Sequence, residues 1–506
     1  MDNDVSFFDH ARASLKQAPP WLLAWAAGTV LLLVLRFSHW DGVPFVNDEA
    51  AFLSKAQEEV ATGQWVSVSP IAGTQGMRYG PSVLWFYAVT QIYFGEDARS
   101  AIAAMCLVVT LAHALALLGI ARAFALQPLE LLGLSAFVAS SSYQLFWSRL
   151  AWDQLVNVCG SLLLLLLSSA TLSAWHALVL GLVIGIALSS HLFSVPLIAC
   201  TFFVLLFEHR RQPRRAALIG TITTATVLLI NLPYLSFLLS DDTSRPALQS
   251  GTLSLAGSWS WFSVPAEVSG FAGFAYFFDT DWARLVGQLG RSFDWLSASQ
   301  APHVLSILAL IGLCFGAPAA PAGATSTPLA ATRLVRLSLV TWATYTLFYD
   351  QRDLTHHPHY TFPYWWVIPV GLASLLVALR RVSLPLARLL LAAIALVAVA
   401  QLAFMGAWRS YVDAEGGTRG IHYATPVSLQ YRALASACAR PERVIRIENQ
   451  TVLFAHALTY VASTEPACRD KQVEICAGKC APAGPGAALV RLVYAEASGG
   501  KIAVQP

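Results

Sequence analysis

The sequence predicts an all-α polytopic membrane protein that ends in a small α/β domain outside the bilayer. Three observations predict it. The 506 residues are 56% hydrophobic and only 12% charged, with a mean hydropathy of +0.57, whereas a soluble chain carries roughly 25% charged residues. Many stretches of about 17 residues or more lack any Asp, Glu, Lys or Arg, the length a membrane helix needs. After residue 407 the character changes, and short apolar runs such as "RVIRI" and "ALVRLVY" alternate with a helix-like "TVLFAHALTYVA", a βα pattern. The net charge of +3 is small, and no nucleic-acid partner is expected.

Residues 1–19 read as a cytoplasmic N-terminus. The first apolar run, Trp21 to Leu35, follows Arg12 and Lys16 as a signal peptide would. No small-x-small cleavage motif follows it; the chain continues "RFSHWDGVP", so it reads as a retained span. The spans expected are 20–38, 99–120, 128–148, 154–173, 174–190, 192–207, 216–238, 301–318, 334–350, 361–379 and 386–407, eleven within a membrane domain of residues 20–407. Short basic loops mark the cytoplasmic side. The clearest are "EHRRQPRR" and "RRVSLPLAR", with Arg122, Arg333 and Arg336 in support. Alternating the spans from an inside N-terminus places all of these inside and the C-terminus outside. The apolar run 80–95 opens with Gly-Pro and would invert every later loop if it spanned. It therefore reads as an interfacial or re-entrant helix on the outer face, with a short true span as the alternative.

The outer face then holds the loops 39–98 and 239–300, the turn from Arg149 to Asp153, the turn "DQRDLTHHPHY", and the C-terminal domain, residues 408–506. Cys106, Cys159, Cys200 and Cys314 fall in apolar runs and read as buried thiols. Cys438, Cys468, Cys476 and Cys480 fall in the polar tail and read as two disulfides in an oxidising compartment. Zinc is the competing reading, but Cys476-x3-Cys480 has no matching second pair. "APAAPAGATSTP" is a flexible inner loop.

His113 and Asn231 are the polar exceptions inside the spans, and each reads as a satisfied packing residue. Ion-coupled carriers place acids and bases near the midplane. Here the ionisable groups collect at the outer ends instead: Asp48 and Glu49, Arg78, Arg149 with Asp153, His191, and His356, His357, His359 with Tyr360. Each has a bland reading. Asn47 or Asp48 is a helix N-cap and Glu49 meets the helix dipole. Arg149 and Asp153 are spaced i, i+4 as a helix-end ion pair. The histidines lack the regular spacing that positions metal ligands, and no metal site is assigned.

Taken in order, a first span, "NDEA" opening a helix, "RYGPSVLWFYAV", "SRLAWDQL" one hairpin later and "HYTFPYWWVIPV" late in the chain resemble the C-type (GT-C) glycosyltransferases. The likeness is to the bacterial branch of the dolichyl-phosphate-mannose protein mannosyltransferases, which includes the 4-amino-4-deoxy-arabinose lipid A transferases, and it covers roughly residues 20–380. The resemblance implies a GT-C-like fold and an inverting, metal- and cofactor-independent transfer. A sugar would pass from a polyprenyl-phosphate donor to an acceptor hydroxyl of a glycan, lipid or protein, at the periplasmic face of a bacterial inner membrane. It implies Asp48, Glu49 and Asp153 as the catalytic acids, with Asp48 as the base, and Tyr79, Arg149, His359 and Tyr360 as substrate contacts. The family's Lys-Pro-Pro reads here as Tyr79-Gly80-Pro81. The phosphate contact then falls to Arg78, one residue earlier and about 100° round if a helix begins there. His191 in "SSHLFSVP" is the candidate where the family has Gly-Lys. Membrane lipid is a further partner.

The physical logic agrees with this reading. A hydroxyl is a poor nucleophile until a carboxylate takes its proton, and a leaving phosphate needs cations or donors. A lipid-anchored donor puts such a site beside the bilayer. The competing functions are a transporter or lipid flippase, and a scaffold or O-antigen ligase-like envelope protein. Convergence of Asp48, Arg149 and Asp153 on one outward cavity separates the enzyme from a carrier, whose cavity reaches the midplane.

Overall fold

The computed structural model describes residues 19–70, 78–152, 154–169, 171–240, 301–315, 327–352, 362–415, 426–449, 455–477, 480, 486–494 and 502–505. Among these, each of the eleven apolar stretches holds a helix. They are α1 (Pro20–Phe37), α4 (Ala98–Phe124), α5 (Pro128–Ser140), α7 (Leu155–Leu167), α8 (Ala174–Ser190), α9 (Val195–Glu208), α10 (Pro213–Ser240), α11 (Ala301–Phe315), α12 (Thr327–Arg352), α13 (Val367–Val382) and α14 (Leu384–Glu415). Four contain segments long and apolar enough to cross a membrane by length and composition: Pro20–Phe37, Ala98–Phe124, Pro213–Ser240 and Leu384–Tyr411. The protein is a multi-pass membrane protein. The face of α10 carrying Leu228, Leu229, Leu232 and Leu239 is exposed, as a lipid-facing stripe should be.

Boundaries differ from the hydropathy reading where serines interrupt a run. The stretch 128–148 is two helices, α5 and α6 (Ser142–Trp147), because the Ser141 hydroxyl accepts from the Gln144 amide and restarts the helix. The span expected at 192–207 opens as a 3-10 turn, Leu192–Ser194, before α9. The span expected at 154–173 ends at Leu167, where Ser168 takes over the last turn.

Helices pack closely where small residues face each other. A Cβ at Gly312 of α11 would run into the Gly371 carbonyl of α13, and one at Gly371 into Ala309. Glycine there lets two backbones touch, a packing mode membrane helices favour. One end of the bundle carries the basic loops. Arg333 pairs with Glu208 at 2.5 Å and donates to the carbonyls of Leu167 and Ser169. Arg380 pairs with Glu130 at 2.6 Å. A cavity of about 740 Å³ lies at this same end, lined by Trp21, Arg122, Leu126, Leu165 and Ser168 among others.

The opposite end carries α2 (Asn47–Thr62), α3 (Ser82–Phe94) and the C-terminal domain. That domain comprises α15 (Val427–Cys438), β1 (Val444–Asn449), α16 (Ala455–Thr464), β2 (Gln472–Ala477), β3 (Ala487–Tyr494) and β4 (Ile502–Gln505). The sheet order is β2-β1-β3-β4. β1 is parallel to both neighbours, with Ile447 opposite Ile475 and Val490, while β3 and β4 are antiparallel. Disulfides join Cys438 to Cys468 and Cys476 to Cys480, a pairing that spacing alone left open. Cys106, Cys159 and Cys200 are buried thiols as expected, whereas Cys314 is exposed.

Candidate functional site

The site is built from α2 outward. Val46 is extended, and its amide donates to the Glu49 carboxylate at 3.2 Å. Glu49 thus closes the first turn of α2 from its third position, which satisfies one of the amides a helix start leaves open. It is 1% exposed. Asp48 is exposed beside it. The helix stops at Gly63, whose φ of +69° is the left-handed conformation that glycine adopts readily. The two acids therefore part company: Glu49 faces inward as a cap, and Asp48 faces out.

One helical turn after Asp48, Phe52 packs on Tyr87 of α3, ring centroids 6.5 Å apart. The Tyr87 hydroxyl donates to the Trp152 carbonyl at 3.1 Å. This tyrosine, which the sequence suggests as a headgroup-level aromatic but which is buried here, ties the Asp48 helix to the backbone just before Asp153. Asp153 itself, with His356, His357, His359 and Tyr360, lies outside the described residues.

Arg78, Tyr79 and Gly80 precede α3 rather than belong to it, since the helix begins at Ser82. The 100° rotation expected for Arg78 therefore does not apply; the two residues sit on an irregular stretch. Ser69 donates its amide to the Tyr79 carbonyl at 2.9 Å, and the Tyr234 hydroxyl donates to the Arg78 carbonyl at 2.9 Å. The Arg78 side chain is exposed. The Tyr79 ring stacks on His191 at 4.4 Å, and His191 stacks on Phe193 at 4.8 Å. Two segments more than a hundred residues apart are thereby joined. Gly80 makes the approach possible, because it lies against Ser189 so closely that no side chain fits.

His191 lies in the turn between α8 and α9 and is 5% exposed. Burial holds its imidazole down at about 3, so it is neutral at physiological pH. Its Nδ1 accepts from the Phe193 amide at 3.0 Å. The ring proton therefore resides on Nε2, which makes His191 a neutral donor rather than the cation that the sequence reading allowed.

Arg149 is placed differently. It is fully buried, donates from Nε to the Leu145 carbonyl, and from Nη1 to the His39 carbonyl at 3.0 Å. Arg409 reaches the neighbouring Ser38 carbonyl. Both guanidiniums thus stand at the C-terminal end of α1, where free carbonyls favour cations. Arg149 is thus fully buried against these carbonyls. The small cavity at this point, about 20 Å³, is lined by His39, Gly42, Trp408, Arg409, Pro426, Ser428 and Leu429.

Beneath this layer a buried chain of side chains crosses four helices. Arg36 Nη2 meets His113 Nδ1, His113 Nε2 meets Asn157 Oδ1 at 3.0 Å, and Asn157 Nδ2 donates to Gln144 Oε1 at 3.0 Å. Arginine can only donate, so each donor and acceptor role along the chain follows from Arg36. His113 is satisfied, as expected, but as part of a network. Asn231 is only half satisfied: its Nδ2 donates to the Gly185 and Val227 carbonyls, while its buried Oδ1 meets no donor among the described residues. The sequence signal for the network was the single arginine in the last turn of an apolar run. Among the described residues no group of three or more His, Cys, Asp or Glu could hold a metal ion.

No protein-family model and no curated protein matches the sequence. Among solved structures the chain is similar to ArnT from Cupriavidus metallidurans bound to undecaprenyl phosphate, with TM-score 0.49 and 15% identity over 90% of this chain and 85% of that one. The apo state of ArnT gives TM-score 0.44 and 16% identity over the same shares. The archaeal oligosaccharyltransferase AglB from Archaeoglobus fulgidus, in complex with an inhibitory peptide and a dolichol-phosphate, gives TM-score 0.48 and 14% identity. This chain covers 64% of AglB, with 88% of its own length matched.

Proposed function

We propose that the protein is a membrane glycosyltransferase that moves a sugar from a polyprenyl-phosphate donor to an acceptor hydroxyl, with inversion at the anomeric carbon. The observation that carries this reading is the exposed carboxylate of Asp48 at a capped helix start, on the same end of the bundle as Arg78, Tyr79 and His191. In the proposed step Asp48 takes the acceptor's proton as its oxygen bonds to the anomeric carbon. The bond from that carbon to the phosphate oxygen breaks, and the lipid phosphate leaves with the electron pair. Arg78 offers that phosphate a cation and His191 Nε2 a neutral donor. Glu49 holds the helix start and Arg149 the start of the loop. Asp153, His359 and Tyr360 keep the roles that the resemblance implies. The step is proposed as metal-independent, with the charge carried by these side chains. The site is proposed to face the periplasm across a bacterial inner membrane, with eleven spans and basic loops inside. An oxidising outer compartment accords with two disulfides in the C-terminal domain.

The test uses purified full-length protein and a panel of polyprenyl-phosphate sugars. Asp48→Asn keeps the shape of the side chain and removes the base, so turnover should fall by about 10²–10⁴-fold while the protein stays folded. Glu49→Gln should lower stability at the start of α2 more than it lowers turnover. Near-full transfer by Asp48→Asn would reject Asp48 as the base. Transfer by none of the donors, parent included, would reject the reaction.

A further inference from the structure

The C-terminal domain is fastened to the segment that leads into the Asp48 helix. Ser428 donates its amide to the Asp41 carbonyl at 3.3 Å, Val427 to the Val43 carbonyl at 2.9 Å, and the Gln430 side-chain amide to the Phe45 carbonyl at 2.7 Å. Pro44 and Pro426 bridge between them. The carbonyls of residues 41, 43 and 45, in the turn and bend that lead into α2, are thus held by the start of α15. The next amide, Val46, is held by Glu49, and Asp48 follows two residues later.

The grip has a second arm. Phe45 packs on Tyr460 of α16 at 5.9 Å. Gln91 of α3 donates to the Leu53 carbonyl at 2.9 Å and to the Tyr460 hydroxyl at 3.1 Å. Tyr460 in turn donates to the Glu96 carbonyl. The α2 helix is therefore held between α3 and α16, with one tyrosine joined to both sides. Cys438, at the end of α15, is bonded to Cys468, just beyond α16, so a disulfide links the two arms.

We propose that Gln430 is a positioning residue for Asp48, and that the C-terminal domain sets, through Gln430 and Tyr460, where that carboxylate stands. The choice of side chain is informative. Apart from Gln430, the buried residues of α15 are Val427, Tyr431, Ala433, Leu434, Ala437 and Cys438. Only a donor satisfies the Phe45 carbonyl, and Gln430 is 1% exposed, where an unmade hydrogen bond is costly. Placement matters because a misplacement of about 1 Å can cost roughly 10²-fold in rate. The proposal rests on the reading of Asp48 as the base.

The experiment compares full-length parent with Gln430→Met, which keeps the length and loses the donor, and with Tyr460→Phe, which keeps the ring and loses the hydroxyl. Thr459→Ala, an exposed neighbour on α16, is the control. Amide exchange over residues 44–56 should accelerate about threefold to tenfold in both variants, with α4 unchanged and the control like the parent. In the transfer assay kcat should fall while KM for the donor holds. Exchange unchanged in both variants overturns the proposal whatever the activity does. Faster exchange with unchanged kcat in an active parent also overturns it, because Asp48 would then not depend on the grip. A parent that transfers no sugar rejects the reaction instead, and exchange alone then decides whether the domain holds the helix.

Discussion

Gly80→Ala tests the geometry of the site with one methyl group. Gly80 is buried against the end of α8, and a Cβ there would lie 2.7 Å from the Ser189 carbonyl oxygen and 2.8 Å from its Cα. Ordinary contact begins at 3.4 Å, so one partner must retreat by roughly 0.7 Å, well up the repulsive wall. The end of α8 resists, because the His191 amide is still hydrogen-bonded to the Ala187 carbonyl. The segment carrying Arg78 and Tyr79 therefore moves. That lifts Tyr79 off His191 and stretches the 3.1 Å bond from the Ser82 amide to the Ser189 hydroxyl. Overpacking of this kind costs about 1–3 kcal/mol, and a displacement approaching 1 Å at a substrate contact costs roughly 10²-fold in rate. Thermal unfolding in detergent and turnover with the best donor read the two quantities separately. Adding Ser189→Gly removes the hydroxyl clash but not the backbone one, so recovery should be partial. A Gly80→Ala protein with parental stability and turnover would refute the reasoning.

Two further outcomes are expected. Cys438–Cys468 spans 30 residues of sequence and Cys476–Cys480 spans 4, so on chain entropy their removal should cost about 3.6 and about 1.9 kcal/mol respectively. Protease cleavage of the C-terminal domain within the full chain should rise roughly twentyfold more for the first, and equal effects would contradict this. Glu59, near the end of α2, has its carboxyl raised by burial, with the Val66 amide opposing. A raised carboxyl favours the protonated folded state, so its contribution is fullest below 4.5 and is lost as pH rises through the raised value. Glu59→Gln keeps the acceptor for Val66 and removes the charge. Protection of residues 47–62 at neutral pH should increase and lose this pH dependence, after correction for intrinsic exchange; unchanged protection would exclude burial of charge as the cause.

The apolar runs and the loop charges determined most of the fold, because a bilayer forces each backbone polar group to be satisfied within its own helix. That constraint is local, and so α1, α4, α8 and α10 were legible from composition alone. The βα tail was legible for the same reason, from short-range alternation around Ile445, Ile447 and Val490. Asp48 and Glu49 were legible as a pair beside the membrane, but not in their division of labour. Which acid turns inward depends on the Val46 amide, and which turns outward depends on α3 and α16 packing around them. The cysteine pairing, the Tyr79–His191 stack and the neutral state of His191 also needed tertiary structure. Each arises from segments brought together through space, where burial rather than spacing sets charge and contact. The hold of Gln430 on Phe45 lies furthest from sequence reach. The two residues are separated by 385 positions, and nothing in a polar side chain on an amphipathic helix tells which distant carbonyl it will meet.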